Sequence, residues 1–134
     1  MNSATIMKLP SVRDILREEE RVREIFKESK NVEKALKNTK FLPPHEVLRI
    51  CAEEKLKSLG YKIIKRDEAP DWIKKVGSPD IIAEKDGKFV IAEVKYSRQL
   101  ERYSKAKKAR FIIVTNVEEG SKVEIWGIKE LEEM

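Results

Sequence analysis

The stretch GSPDIIAEKDGKFVIAEVKYSRQ, residues 77–99, reads as two β-strands joined by a tight turn. Asp86-Gly87 is a preferred pair for a two-residue hairpin, because both residues tolerate the positive φ that such a turn requires. With that pair at the centre of the turn, Ile82 falls opposite Ile91 and Asp80 falls opposite Glu93. Side chains alternate along a strand, so Asp80, Ile82, Ile91, Glu93 and Lys95 share one face. Ile81, Ala83, Val90, Ala92 and Val94 share the other.

Facing residues of an antiparallel pair have Cβ atoms roughly 4.5–5.5 Å apart, and like charges there repel. Glu93 also follows the apolar run Phe89-Val90-Ile91-Ala92, where a charge without a partner is costly. Lys95 offsets part of the negative charge, but one ammonium beside two carboxylates leaves a net negative pocket. A divalent cation resolves the conflict, since hard ions take carboxylate oxygens. The residues therefore point to a bound divalent cation.

Downstream, Lys95 to Arg110 holds seven basic residues against the single acid Glu101, whereas the whole 134-residue chain carries a net charge of +5. Such a concentrated patch points to a polyanion, most simply nucleic acid. A negative ion-binding pocket flanked by a positive surface suits a phosphodiester: the surface holds the backbone and the ion polarises the phosphorus.

Upstream, Ser11 and Asp14 have capping-box spacing. Val12, Ile15, Leu16, Val22, Ile25 and Phe26 follow at helical spacing, continued by Val32, Ala35 and Leu36. Residues 11–38 are expected to form one long helix, or two with a break near 29–31. The apolar stripe must bury against either the rest of the chain or a second copy of it. Pro43-Pro44 ends this arm, and Pro44 can open a helix running to Leu59, with Gly60 as its C-terminal cap. Val47, Leu48, Ile50, Cys51, Leu56 and Leu59 form the apolar face of that helix. Strands are expected at 61–66, 80–85, 88–95, 110–116 and 122–128, and a helix at about 98–108. Helices alternating with strands in this way predict an α/β sheet with helices on its faces.

Hydrophobic and charged residues each make up 40% of the chain, which supports a modest core under a charged surface. No apolar run approaches the ~18 residues of a membrane helix, and MNSATIMKLPSVRD lacks the apolar centre of a signal peptide. A soluble, cytoplasmic protein is expected. Cys51 is the one cysteine, which excludes an internal disulfide and multi-cysteine zinc or iron–sulfur sites. The abundance of Lys and Glu with a single glutamine resembles proteins of hot environments. His45, the one histidine, is expected to be exposed at its helix start, Ser97 to cap a helix, and Trp72 and Trp126 to pack in the core.

Pro79-Asp80, twelve intervening residues and then Glu93-Val94-Lys95 resemble the PD-(D/E)XK nuclease superfamily, which includes restriction endonucleases and archaeal Holliday-junction resolvases. The resemblance covers residues 44–116. It implies a restriction-endonuclease-like core of order α-β-β-β-α-β, here with an extra C-terminal strand. That core has a central mixed sheet flanked by helices. On this reading the chain divides into an N-terminal helical arm, 1–42, and a nuclease-like domain, 43–134. The resemblance implies that Asp80, Glu93 and the carbonyl of Val94 ligate Mg²⁺ or Mn²⁺, and that Lys95 orients the attacking water.

Family members often add a glutamate from the preceding helix. Glu46, Glu53 and Glu54 are available, and Glu46 is favoured. Gln99 and Tyr103 fit the Gln-x-x-x-Tyr element of RecB-like nucleases, though they follow the Glu-x-Lys element more closely than is usual there. Gln99 joins the catalytic set on this basis. Arg98, Arg102, Tyr103, Lys105, Lys107 and Lys108 are the expected nucleic-acid contacts. The function implied is a metal-dependent endonuclease acting on DNA. The alternative is a nucleic-acid-binding or assembly protein that keeps the fold without catalysis. A homodimer, through the N-terminal helices, is compatible with either.

Overall fold

A computed structural model describes residues 9–75, 78–96, 109–115, 122–126 and 128–133; residues 95–96, 109–115, 122–126 and 128 are placed as backbone only. Helix α1 (Val12–Ser29) begins at the expected capping box: Asp14 N–H donates to Ser11 Oγ and Ser11 N–H to the Asp14 carboxylate, both at 3.1 Å. It ends where Lys30 takes a left-handed conformation, and α2 (Val32–Lys37) follows. Helix α3 (Pro44–Ser58) starts at the proline pair. It ends in a Schellman motif, with Tyr61 N–H donating to the Leu56 carbonyl and Gly60 N–H to the Lys57 carbonyl. Gly60 supplies the positive φ of 94° that this ending requires.

Five strands form one sheet in sequence order: β1 (Lys62–Ile63), β2 (Ile81–Lys85), β3 (Lys88–Tyr96), β4 (Ala109–Thr115) and β5 (Lys122–Trp126). A 3₁₀ turn at Arg66–Glu68 and the short α4 (Asp71–Lys74) lie between β1 and β2, and α5 (Ile128–Glu132) follows β5. The architecture is mixed α/β, as expected. The sheet, however, is not mixed: every described pair is antiparallel. Tyr96, the last residue of β3, faces Ala109, the first of β4, so the chain turns back at the end of β3 instead of crossing to its start. The mixed sheet is what the family resemblance implies, and a helical connection is the usual route to a parallel neighbour. A connection of that length is equally able to reverse at one end. The helix expected at about 98–108 lies outside the described residues.

The two faces of the hairpin separate as its alternation requires. Ile81, Ala83, Val90, Ala92 and Val94 join one core with α3 and with Val22, Phe26, Val32 and Ala35 of the N-terminal helices. The stripe of the arm thus buries against the same chain. Val12 and Leu16 remain exposed, because the packed face of α1 is carried by Val22 and Phe26 with Ile15 and Ile25 beside them. Leu59 is also exposed rather than on the apolar face, since it lies past the last turn of α3. Ile82 and Ile91 face the other side. There they pack with Ile64, Ala69 and Ile73, and Trp72 stands edge-on to Phe89 at 5.6 Å. The side chain of Trp126 lies outside the described residues. Cys51 is buried, as expected.

Candidate functional site

Asp86 and Gly87 both take positive φ, 51° and 78°, as a type I′ turn demands. The ladder runs from Lys85↔Lys88 to Ile81↔Ala92 without a bulge. The ladder ends at that pair, with Asp80 one residue before β2 and Glu93 one residue beyond Ala92 on β3. Asp80 sits just before β2, and its Oδ2 accepts the backbone N–H of Val94 at 2.8 Å. One hydrogen bond thus fastens the aspartate to the strand that carries the glutamate. The Asp80 side chain is 25% exposed and Glu93 is partly buried, flanked along the strand by the buried Ala92 and Val94.

Helix α3 reaches the same end of the sheet. Pro44 occupies its first position, which puts His45 and Glu46 second and third, in the opening turn. His45 Nε2 lies 3.5 Å from Asp80 Oδ2, and its Nδ1 lies 3.6 Å from Glu46 Oε1. Glu46 Oε2 accepts two N–H groups of Arg49, from Nε at 3.0 Å and Nη2 at 2.8 Å. Arg49 Nη1 donates to Glu53, whose other oxygen is 3.0 Å from Arg23 of α1. Burial works against the Arg49 charge, but the hydrogen bonds to Glu46 and Glu53 and their charges outweigh it, and the guanidinium is held above its ordinary value.

Of the three candidate glutamates, Glu46 is the one linked to Asp80, through His45. Glu53 and Glu54 point to α1, where Glu54 is ion-paired with Arg23 and Lys27, and Lys57 of α3 itself adds a third pair. Lys95 continues β3 opposite Arg110, and its side chain lies outside the described residues. Gln99, Arg98, Arg102, Tyr103, Lys105, Lys107 and Lys108 also lie outside them, as does Ser97. The residue that sequence reasoning missed is His45. Its side chain is 40% exposed, as a helix-start residue can be, but it lies between Asp80 and Glu46. The signal was Pro43-Pro44, which fixes where α3 begins. What the signal lacked was where that beginning lands on the sheet.

Asp80 and Glu93 carry the carboxylate oxygens that a hard dication takes, and Asp80 is bonded to the Val94 backbone. Among the described residues no group of three or more His, Cys, Asp or Glu side chains is placed to hold a metal ion. Mg²⁺ does not need one, because it keeps several waters and is held by one or two carboxylates together with substrate phosphates. No family model, curated protein or solved structure matches the chain. Among the described residues, no helix is long and apolar enough to cross a membrane.

Proposed function

We propose that this protein is a metal-dependent nuclease that hydrolyses phosphodiester bonds, most simply an endonuclease acting on DNA. The observation that supports the reading is the hairpin register, which brings Asp80 and Glu93 to the same end of the hairpin, with Asp80 tied to the Val94 N–H. A bound Mg²⁺ or Mn²⁺ would polarise the phosphate and make a bound water more acidic. Asp80, Glu93 and the Val94 carbonyl are the ligands this reading assigns. Lys95, two residues past Glu93 on the same strand, orients the attacking water and offsets charge on the phosphate. The basic residues from Arg98 to Lys108 hold the nucleic-acid backbone and draw it to the site by long-range attraction.

The test is cleavage of plasmid and branched DNA with Mg²⁺ or Mn²⁺. The wild-type chain is expected to cut, and Asp80→Asn and Glu93→Gln to fall to background while still binding DNA. Equal cleavage by wild type and Asp80→Asn would sink the assignment. Salt-sensitive binding with no cleavage under any metal would instead mark a binding protein that keeps the fold.

A further inference from the structure

We propose that α2 and the loop after it form a track for an unpaired DNA strand, and that Phe41 is the platform on which one of its bases stacks. The inference deepens the nuclease reading above, and rests on it for the claim that the strand leads to Asp80. The stretch from Lys30 to Phe41 holds four lysines against the single acid Glu33, a net +3. Helix α2 turns Val32 and Ala35 inward, so Lys34 and Lys37 stand exposed on its outer face. Lys40 is exposed in the loop that follows. Two residues of α1 contact this loop, Arg21 at Asn38 and Glu18 at the backbone of Lys40 and Phe41, and their charges offset each other. The positive balance of the track therefore stands.

The loop holds Phe41 outward. Phe41 N–H donates to the Glu18 carboxylate at 2.8 Å, Lys40 N–H donates to the same carboxylate, and Leu42 N–H donates to Thr39 Oγ1 at 3.2 Å. Leu42 takes the inward place at 9% exposure, and Phe41 is left 44% exposed. Among the described side chains it is the one exposed aromatic. His45 follows four residues later, with its Nε2 3.5 Å from Asp80. Four residues of chain span at most about 14 Å, the rise of about four stacked nucleotides. A cationic track that holds phosphates, with an aromatic face that takes a base, is the combination that grips single strands without reading their sequence. A paired base is already covered on both faces, so the ring gains nothing from a duplex unless a base step is first opened.

The experiment uses the full chain in EDTA, so that no cleavage intervenes, and three fluorescein-labelled DNAs: a single strand, the matching duplex, and that duplex with an unpaired flap. Anisotropy is read across a salt series. The wild type is expected to bind the single strand and the flap more tightly than the duplex. Phe41→Ala should weaken both by about 5- to 150-fold, the loss of one stacked base, and leave the duplex unchanged. Phe41→Trp should keep the wild-type preference. Lys37→Gln with Lys40→Gln should lower the salt slope for the single strand by about 1.4. All three side chains are exposed, and urea unfolding checks that each variant folds. No loss from Phe41→Ala, or an equal loss on all three DNAs, overturns the inference. Cleavage with Mg²⁺ or Mn²⁺ is scored separately. A chain that cuts but is indifferent to Phe41 remains a nuclease without the track. A chain that shows the Phe41 preference but never cuts keeps the track and loses the nuclease reading. Absence of any DNA binding overturns both.

Discussion

Asp80 has two duties that a substitution can separate. Its carboxylate accepts the Val94 N–H, and Val94 is buried, so removing the acceptor leaves a backbone donor without a partner. Such an orphaned group costs about 1–3 kcal/mol. Asp80→Ala is therefore expected to lower stability by that amount in urea unfolding. Asp80→Asn keeps an acceptor oxygen and should stay within about 0.5 kcal/mol of wild type, in the range of harmless surface changes. If both variants unfold at the wild-type midpoint, the hydrogen bond contributes nothing. The hairpin register from Lys85↔Lys88 to Ile81↔Ala92 was legible in the sequence because Asp86-Gly87 fixes it. His45 was not legible, because its contact depends on where α3 meets the sheet, a long-range relation that no local pattern records.

At the scale of elements, α1 and α3 are held together by charge as well as by apolar packing. Glu54 is only 1% exposed and stands among Arg23, Lys27 and Lys57, none of which gives it an aligned hydrogen bond. Arg23 bridges Glu54 and Glu53, so Arg23→Met leaves buried negative charge with weaker compensation. Breaking a buried pair from one side costs about 3–5 kcal/mol. Lys27 is 59% exposed, and solvent screens its pairing, so Lys27→Ala should cost about 0–1 kcal/mol. Chemical denaturation of the two variants checks the order, and equal losses would contradict it.

The start of α1 carries a pH signature. The Ser11 backbone and side-chain hydrogen bonds hold the Asp14 carboxyl below its ordinary 3.8. Because the folded value is depressed, this contribution is present above pH 3.8 and fades as the pH falls through the lower folded value. Asp14→Asn should flatten the acid limb of stability against pH, and an unchanged limb would show that the box does not hold in solution. The box was readable from Ser-x-x-Asp alone. The buried charges Glu53, Glu54 and Lys55 were not, since charged residues on a helix suggest a solvated face.

For the whole molecule, sequence order correctly placed the strands, but the direction of β4 depended on a connection whose length permits either sense. The arm raises a similar question of scale, because a helical segment ahead of a proline break reads as an appendage. In the structure Val22, Phe26, Val32 and Ala35 are fully buried in the cluster that holds α3 and the hairpin, so the arm completes the core. Cys51 of α3 lies inside that cluster, and burial, reinforced by the charges of Glu132 and Glu54, pushes its thiol up to about 12. Thiolate is the reactive form, so the full chain should resist alkylation near neutral pH until it opens. A chain beginning at Pro43 would lose the side chains that cover this region. It is then expected to show no cooperative unfolding and to label at Cys51 at the rate of a denatured thiol. A milder version, Phe26→Ala, should cost about 3–5 kcal/mol and raise the labelling rate without changing its chemistry. If the shortened chain unfolds cooperatively and still protects Cys51, the N-terminal helices are an appendage after all, and the ion network from Arg23 to Glu46 has no part in holding the site.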